Sequence, residues 1–369
     1  MCAAMERPLV RYAVIGLGHI AQHAVLPAFV HVRANSRLSA LISGDPAKLK
    51  RLGERYGVSV RGSYADLEAC LAHADAVYIC TPNSTHAEFA VRAAEAGKHV
   101  LCEKPLAVTD EECARMIAAC RANNVRLMTA YRLHFESISL EILSRIRRGD
   151  IGEPRFFTST FSMHVKPRGI RTRRSTGGGT LYDIGIYCIN AARVLFGEEP
   201  TRVFAYSISG ERSDMEVDDV TAAVLQFSGG KLATFTASFA SADVSSYLIV
   251  GTKGSIEAEP AYLYSEPLAY TITLGDRDQR KQGPKVDQFA AELNYFSECV
   301  LRRKDPEPSG EEGARDVRII EALYESARTG DAVALRPVDP ERRPTAAQAK
   351  SFPPAAPGPL VHTESPRRD

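Results

Sequence analysis

The feature that most constrains the fold of this chain is a glycine motif that follows a short apolar run. The run Arg11–Ile15 is typical of a buried strand, and a second such run lies at Leu38–Ser43. Between them a G-x-G-x-x-A pattern opens a helix-like segment, which completes a βαβ unit. Gly16 permits a tight turn and Gly18 lets a pyrophosphate approach the backbone at the helix N-terminus. The motif predicts a dinucleotide bound by Gly16, Leu17, Gly18, His19 and Ile20.

The residues after the second strand bear on which dinucleotide fits. NAD sites usually carry an acidic residue there for the ribose 2′-hydroxyl, whereas this chain has Ser43 and Gly44, followed by cations that begin with Lys48. Ser43 and Lys48 could hold a 2′-phosphate, so we expect NADP in preference to NAD. Asp45 could still reach a ribose hydroxyl, or could instead cap the helix that begins at Pro46.

Apolar strand runs alternate with amphipathic helices through the first third of the chain. The strands are predicted at 11–15, 38–43, 58–61, 75–81, 99–103 and 125–131. This alternation is typical of an α/β fold with a doubly wound parallel sheet, the Rossmann arrangement.

Ligand-contacting residues of such sheets gather at the carboxyl ends of the strands. Thr81, Asn83 and His86 follow the fourth strand, and we expect them to approach the nicotinamide or its ribose. Asn83 could instead cap the helix over 87–96, and His86 could be purely structural.

The fifth strand ends in Glu103-Lys104-Pro105. The next helix begins later, at Thr109, where a Thr-x-x-Glu pattern is typical of a capping box. Lys104 therefore lies in a tight connection and not on a solvated helix face. A lysine fixed there would stabilise the phenolate form of a nearby tyrosine.

A second glycine-rich segment, Gly177-Gly178-Gly179, leads into a predicted helix that carries Asp183 and Tyr187. Residues four apart share one helical face, so the carboxylate and the phenol point the same way. Such a pair can handle a proton on a bound substrate. The basic run 168–174 just before it is either a solvated surface or a contributor of one or two arginines to the site.

Together these motifs resemble the Gfo/Idh/MocA oxidoreductase family, and the similarity extends from about Arg11 to Arg336. Within the family the chain is most similar to the aldose-oxidising branch that includes glucose–fructose oxidoreductase. Tyr187 stands where many members have histidine, and it points to that branch together with Asn190. Supporting segments are 42–44, 82–89, 130–134, 196–200 and 310–318.

The resemblance implies catalysis by Lys104, Asp183 and Tyr187, with a cis bond between Lys104 and Pro105. It implies that Tyr187 takes the proton of the anomeric hydroxyl while C1 of an unphosphorylated aldose gives a hydride to NADP, which leaves a lactone. Glu103, Lys104 and Arg132 join the expected cofactor contacts. Tyr131, Arg132 and His134 could also contribute to the sugar pocket.

Three alternatives remain open from the sequence. The cofactor either stays bound, so that a second sugar is reduced, or leaves as in a plain aldose (xylose or glucose) 1-dehydrogenase. The enzyme could act on another carbon of the sugar. A non-catalytic NADP-sensing regulator would need no proton-transfer residues, whereas this chain carries three candidates.

The length of 369 residues predicts more than one domain. We expect a dinucleotide-binding domain over 1–131 and a substrate and oligomerisation domain over 132–336. The second is predicted as α+β, with an open, mostly antiparallel sheet. The resemblance implies that the exposed face of this sheet pairs subunits, so we expect a dimer or tetramer. The tail, 337–369, has eight prolines and few large apolar residues, so we expect it to be flexible.

The strands of the second domain are predicted from the alternation of apolar and polar residues and from the turn signals between them. Strands are predicted at 154–163, 201–209, 218–227, 231–241, 244–250 and 268–274. Helices are predicted at 136–148, 180–196, 287–303 and 311–329.

Composition excludes several function classes. A formal net charge of +1 argues against nucleic-acid and membrane-surface partners. We find no signal peptide, no apolar run long enough to span a membrane, and no histidine or cysteine spacing typical of zinc. The eight cysteines are scattered in mostly apolar contexts, which favours a reduced, cytoplasmic protein.

Overall fold

The structure is a computed structural model that describes residues 8–210, 215–338 and 343–367. Its first sheet consists of β1 (Val10–Ile15), β2 (Ser36–Ile42), β3 (Val60–Gly62), β4 (Ala76–Ile79), β5 (His99–Glu103) and β6 (Leu127–Ala130). These strands are all parallel, in the order β3-β2-β1-β4-β5-β6. The predicted doubly wound sheet is therefore confirmed. The strand order reverses between β1 and β4, which is where such sheets form a ligand crevice.

Helices cover both faces of this sheet. They are α1 (Leu26–Ala28, preceded by a π-helical turn over Ala21–Val25), α2 (Pro46–Tyr56), α3 (Leu67–Leu71), α4 (His86–Glu95) and α5 (Asp110–Ala122). Successive strand residues point to opposite faces: Leu41 joins the apolar cluster on one side and Ile42 the cluster on the other. Both faces are buried, which explains why the strands are almost continuously apolar.

The second sheet is mostly antiparallel. Its strands are β7 (Pro154–Ser162), β8 (Pro200–Ile208), β9 (Val220–Phe227), β10 (Leu232–Ser238), β11 (Val244–Gly251), β12 (Gly254–Ala258), β13 (Ala269–Leu274), β14 (Arg277–Gln282) and β15 (Val333–Ala334). The order is β14-β13-β12-β11-β7-β10-β9-β8-β15, and only β7 and β10 pair in parallel among the strands described. The predicted α+β domain is thus confirmed. β14 was not predicted because its sequence, Arg-Asp-Gln-Arg-Lys-Gln, is entirely polar and exposed.

The remaining α-helices are α6 (Ser137–Arg147), α7 (Ile186–Phe196, preceded by a π-helical turn over Leu181–Gly185), α8 (Gln288–Arg302) and α9 (Gly310–Thr329). α6, α7 and part of α9 pack in one apolar cluster with the second sheet. α8 instead packs its Phe289, Leu293 and Phe296 with Val10 and Tyr12 of β1. A helix that comes late in the chain therefore packs on the first sheet, and the domain bounds stay a prediction.

Short 3₁₀ turns connect several of these elements. They lie at Tyr64–Asp66, Asn83–Thr85, Arg132–His134, Ile170–Thr172, Arg174–Thr176, Ser228–Gly230 and Ala346–Gln348.

The C-terminal segment differs from the sequence prediction. Residues 343–367 lie against both domains, where we expected a flexible tail. The side chain of Arg343 pairs with Glu312, and Val361 is only 2% exposed. The physical reason is that polar and apolar groups of both domains contact the segment, so it does not need an apolar core of its own. No helix among the described residues is long and apolar enough to cross a membrane.

Candidate active site

The glycine loop after β1 has the geometry that its motif predicts. Gly16 has a φ of +89°, and a Cβ there would lie 2.8 Å from the carbonyl carbon of Cys80. Only glycine fits such a backbone. A Cβ on Gly18 would have no atom within 4 Å, so the loop is open on the side of the crevice. The helix N-terminus that follows is suited to a phosphate group.

A cleft of about 430 Å³ runs between the two domains from this loop. That volume lies within the range of roughly 300–1,000 Å³ typical of ligand pockets. Of the predicted residues it is lined by Gly18, His19, Ile20, Thr81, Asn83, His86, Glu103, Lys104, Arg132, Asp183 and Tyr187. The open loop, the helix N-terminus and the cleft therefore fit a dinucleotide.

Other residues of the predicted cofactor set lie outside this cleft. Gly16 forms the turn itself, and the Leu17 side chain is 2% exposed in the core, so only its backbone can face a ligand. Ser43, Gly44 and Lys48 lie at the end of the neighbouring strand. The backbone N–H of Gly16 donates to the carbonyl of Ile42 at 2.9 Å, which fixes Ser43 beside the loop.

At that strand end the structure resolves the two interpretations of Asp45. Its carboxylate accepts from the N–H groups of Ala47 at 2.9 Å and Lys48 at 3.2 Å, and so it caps α2. It also pairs with His362 of the C-terminal segment at 2.9 Å. Asp45 is therefore already engaged, while Lys48 has no ion-pair partner among the described residues.

His86 does not have the predicted freedom to contact a nicotinamide. Its ring is fully buried, and Nδ1 and Nε2 lie 2.9 and 3.0 Å from the carbonyl oxygens of Pro105 and Thr81. Burial lowers the pKa of His86. The ring ties two strand ends together, and no polar atom of it is left for a cofactor.

Asn83 and Thr81 behave differently from each other. The Asn83 amide donates to the carbonyl of Gly177 at 2.8 Å, which links the first domain to the second glycine segment and does not cap α4. Thr81 is 7% exposed, and its Oγ1 is buried without a partner in the described part of the chain.

Glu103 joins a buried polar chain. The Tyr78 hydroxyl lies 3.0 Å from its Oε1 and 2.5 Å from Oε1 of Glu292 on α8. Burial, with the nearby charge of Glu103, raises the pKa of Glu292 well above its usual range. Burial also raises the pKa of Glu103, so both carboxyl groups of this chain favour the protonated form more than an exposed glutamate does.

Lys104 and Asp183 meet across the two domains. Lys104 Nζ donates to the Asp183 carbonyl at 2.5 Å and lies 3.3 Å from its Oδ1. Arg171 Nε binds the other carboxylate oxygen at 2.5 Å. Burial favours the neutral carboxyl, but Arg171 and then Lys104 outweigh it and lower the pKa of Asp183. The peptide bond between Lys104 and Pro105 is cis, as the resemblance implied.

The close packing of the second glycine segment makes this arrangement possible. A Cβ on Gly178 would lie 2.7 Å from the carbonyl carbon of Arg171, and the N–H of Gly179 donates to that carbonyl at 3.0 Å. The arginine loop therefore folds directly onto the glycines. As a result Arg171, alone of its basic run, pairs with Asp183 among the described ion pairs.

Tyr187 lies on the side of α7 that faces the cleft, and contacts to its aromatic ring hold it in place. Lys104 Nζ and the guanidinium carbon of Arg132 each lie 5.0 Å from the ring centroid. Phe161 and Tyr262 contact it edge-on and tilted, at 5.6 and 5.9 Å. Among the described residues the Tyr187 hydroxyl has no hydrogen-bond partner, so it is available to a ligand in the cleft.

Arg132 is a buried positioning residue of this wall. Its guanidinium donates to the side chain of Gln288 and to the carbonyl of Tyr262, and its carbon lies 5.3 Å from the centroid of the Tyr264 ring. It lines the cleft through its contact with Tyr187, and both of its terminal nitrogens already donate a hydrogen bond within the protein.

Tyr131 and His134 are more deeply engaged than we predicted for sugar-pocket residues. Tyr131 donates to Asp316 at 2.5 Å, and His134 lies 2.9 Å from both Glu307 and Asn190. Asn190 in turn donates to Asp316 at 2.9 Å. These three residues and Tyr187 line a smaller cavity of about 60 Å³, so the polar network lies close to the phenol but its bonds are made within the protein.

The sequence did not identify several residues of the cleft. Tyr262 and Tyr264 form its aromatic wall, and Ser365, Pro366 and Arg367 of the C-terminal segment close one side. No local motif marks the tyrosines, since they reach the cleft only through the long-range pairing of the second sheet.

His19, a predicted cofactor residue, stacks on His23 with 5.1 Å between the ring centroids. Burial, with the nearby His23 and Arg171, lowers the pKa of His19 to about 4.

Comparison with known proteins agrees with this geometry. Residues 10–131 match the oxidoreductase family with an NAD-binding Rossmann fold, and residues 140–257 match the Gfo/Idh/MocA C-terminal domain. The chain belongs to the Gfo/Idh/MocA oxidoreductase family. It is therefore an oxidoreductase with a Rossmann domain for a nicotinamide dinucleotide.

Three relatives of this oxidoreductase are informative. An aldose-aldose oxidoreductase from Caulobacter crescentus, solved with glycerol, is 39% identical with a TM-score of 0.85, over 89% of this chain and 100% of that one. A D-xylose 1-dehydrogenase (NADP(+)) from Haloferax volcanii is 32% identical over 88% of this chain and 99% of its own. A 3-ketoreductase from Actinomadura kijaniata, solved with NADP and TDP-benzene, is 30% identical with a TM-score of 0.78, over 87% and 98%.

Proposed function

We propose that this oxidoreductase uses NADP to oxidise an unphosphorylated aldose at C1 to its lactone. The observation that carries the proposal is the free hydroxyl of Tyr187, which lies in the cleft beside Lys104 and Asp183. The similarity to an aldose-aldose oxidoreductase and to a D-xylose 1-dehydrogenase supports the choice of sugar and carbon. When bound, NADP supplies the acceptor for the hydride from C1.

The residues of the chain supply the proton chemistry. Tyr187 Oη accepts the proton of the anomeric hydroxyl, and the positive charge of Lys104 stabilises the negative charge on the phenol oxygen before the transfer. Asp183, kept ionised by Arg171 and Lys104, accepts hydrogen bonds from a neighbouring sugar hydroxyl and so orients the ring. In the reverse direction the same groups reduce a sugar carbonyl.

The adenosine end of the site supports NADP over NAD. NAD sites usually have an acidic residue at this position, which binds the ribose 2′-hydroxyl. This chain has Ser43 there, and Lys48 is a nearby cation. Asp45, the one acid close by, is held by the first turn of α2 and by His362. The 3-ketoreductase relative was solved with NADP, which is consistent with this preference.

A neutral sugar suits the cleft better than a phosphorylated one. The candidate anion site was the arginine run before the glycines. Arg171 is paired with Asp183, and Arg174 donates to the backbone carbonyl of Glu216 at 3.2 Å. The aromatic wall of Tyr262 and Tyr264 and the polar groups around it are appropriate for a polyhydroxylated ring.

The two half-reactions could be linked in either of two ways. If NADP(H) stays bound, oxidation of one sugar is coupled to reduction of another, as the name of the Caulobacter relative suggests for that enzyme. If it leaves, the protein is a plain aldose 1-dehydrogenase, like the Haloferax relative. Mass spectrometry of the protein after gel filtration distinguishes these cases, because only a retained cofactor co-purifies.

The proposal is tested by incubating the enzyme with NADP and a panel of free and phosphorylated aldoses, with identification of the products. We expect lactones from glucose, xylose or galactose. Reaction of phosphosugars alone, or oxidation at another carbon as in the ketoreductase relative, would contradict the proposal. Tight NADP binding with no turnover of any sugar would favour the alternative of a non-catalytic NADP sensor.

A further inference from the structure

The C-terminal segment crosses the mouth of the cofactor cleft. Leu360, Ser365, Pro366 and Arg367 line the same cleft as Gly18, Lys104 and Tyr187. We call residues 360–367 the strap. On the sequence alone this segment had no assigned role, because it lacks the apolar pattern of a helix or strand.

One end of the strap is anchored on the helix that follows the glycine loop. The Gln22 side chain is 1% exposed and pairs with the Val361 backbone in both directions: Val361 N–H donates to Oε1 at 2.8 Å, and Nε2 donates to the Val361 carbonyl at 3.0 Å. This is the bonding pattern of a strand pair, made by a side chain. The anchor lies directly beside the phosphate-binding turn.

The next residue reaches the adenosine end of the site. His362 Nδ1 lies 2.9 Å from the carboxylate of Asp45, just past the strand end that carries Ser43. The His362 ring therefore engages the one carboxylate that lies beside the proposed 2′-phosphate position at Ser43 and Lys48.

The other end of the strap is attached to the second domain. Lys166 N–H donates to the Pro366 carbonyl at 2.8 Å, Lys166 Nζ pairs with Glu364 at 2.5 Å, and Arg367 pairs with Asp243 at 2.9 Å. The strap therefore runs from the dinucleotide-binding domain to the sugar-binding domain over the cleft. Its residues Leu360, Ser365, Pro366 and Arg367 form part of the wall of this cleft.

The attachments differ in strength, and this allows the strap to open. The contact of Gln22 with Val361 is buried, whereas the ion pairs of Glu364 and Arg367 at the second-domain end are exposed and so are weak and sensitive to salt. Segments with few buried contacts open locally without global unfolding. The strap can thus release its second-domain end while both domains stay folded.

From these contacts we infer that residues 360–367 form part of the dinucleotide site and close over the bound cofactor. They slow its release, so that NADP(H) is retained from one sugar to the next. This inference rests on the proposed function, since it requires that the cleft bind NADP. It favours the coupled oxidoreductase over the plain dehydrogenase.

The test compares the full-length protein with a chain truncated after Pro359, using NADPH itself as the probe. The rate of NADPH dissociation is measured by the loss of its fluorescence when excess NADP is added in stopped flow. We expect about tenfold or faster release from the truncated protein, with a smaller change in the association rate. The control is Lys350→Ala, which removes a partly buried pair between the same C-terminal segment, outside the strap, and Glu298 of α8. It should release NADPH at the rate of the full-length protein.

A second measurement does not depend on how well the truncated chain folds. Hydrogen exchange of the full-length protein should show slower exchange of the Val361 and Lys166 amides when NADPH is present. The inference that the strap slows cofactor release would be wrong if the two proteins released NADPH at equal rates. It would also be wrong if NADPH left the exchange of these amides unchanged. Neither result would contradict NADP binding itself. Failure of both proteins to bind NADPH would overturn the proposed function, and the strap with it.

Discussion

Lys104 lies with its Nζ over the Tyr187 ring, 5.0 Å from the ring centroid. The resemblance to the family led us to expect an amine close to the phenol, and the structure brings the two together from different domains. In this arrangement the ammonium is also held by the Asp183 carbonyl at 2.5 Å. The positions of the proton acceptor and its supporting charge therefore depend on the docking of the two domains.

Replacing Tyr187 with phenylalanine should remove the proton acceptor but keep the ring contacts. We expect Tyr187→Phe to lower kcat by roughly 10²–10⁴-fold on the best sugar, the usual cost of losing general acid–base help. NADPH affinity, measured by fluorescence titration, should be nearly unchanged. The control is Tyr182→Phe on the same helical segment, whose hydroxyl donates to the Val108 carbonyl at 2.7 Å. Near wild-type kcat in Tyr187→Phe would show that the base is misidentified.

The role of Lys104 can be tested with a side chain of similar length and no charge. Lys104→Met should lower kcat by about 10²-fold or more, because the negative charge that the phenol oxygen needs to accept the proton loses its stabilising cation. Binding of the dinucleotide should persist, since the glycine loop is untouched. Lys253→Met, at an exposed turn of the second sheet, is the control and should keep full activity. A Lys104→Met enzyme with unchanged kcat would leave the lysine without a catalytic role.

Asp183 predicts a pH dependence of stability. Burial opposes its charge, but Arg171 and Lys104 prevail, so its folded pKa lies below the unfolded value of about 3.9. A depressed pKa stabilises the folded state above the unfolded pKa, and this contribution is lost as the pH falls through the folded pKa. We expect Asp183→Asn to be less stable than wild type by about 1–3 kcal/mol at pH 7, with a smaller difference below about pH 4.

Urea unfolding at pH 7, 5 and 3.5 measures this difference. Asp276→Asn, in the exposed turn between β13 and β14, is the matched control and should follow wild type at every pH. If the gap between Asp183→Asn and wild type widened on acidification, the assigned charge state of Asp183 would be wrong.

Much of the fold could be predicted because its determinants are local. The buried strands of the first sheet are continuous apolar runs, and the loop after β1 needs glycine at Gly16 for a φ of +89°. The placement of α8 and of the segment 343–367 could not be predicted in this way. α8 is amphipathic like its neighbours in sequence, and its choice of the first sheet depends on long-range packing of Phe289 and Phe296.

The residues of the candidate site also divide into those that local sequence patterns predict and those whose role depends on long-range packing. Lys104, Asp183 and Tyr187 were predicted from spacing, since i and i+4 share a helix face and strand ends share a sheet edge. His86 was ambiguous in the sequence because a buried histidine and a ligand-binding one look alike. Only its two backbone carbonyl partners assign it to the wall of the site.

The preference for NADP rests on a missing acid, which can be restored. Ser43→Asp places negative charge beside the 2′-phosphate, so it should weaken NADP binding by about tenfold or more while NAD binding changes little or improves. Fluorescence titration with NADPH and NADH gives both affinities. Ser39→Asp, earlier on the same strand, is a control for the effect of added charge alone. Equal or tighter NADP binding in Ser43→Asp would contradict the assignment.

Assembly is predicted to use the outer face of the second sheet. Phe156 and Leu232 are register neighbours on β7 and β10, and they are 45% and 43% exposed. Tyr206 on β8 is 66% exposed. We expect a dimer or tetramer by light scattering, because a stable interface buries about 1,200–2,000 Å² and this face offers an apolar centre. Phe156→Glu should shift the protein toward monomer, since a charge there would be buried unpaired.

The matched control is Val30→Glu, at a side chain 50% exposed on the first domain, which should leave the assembly intact. A monomeric wild-type protein would refute the predicted assembly, while the chemistry proposed for Tyr187 would stand.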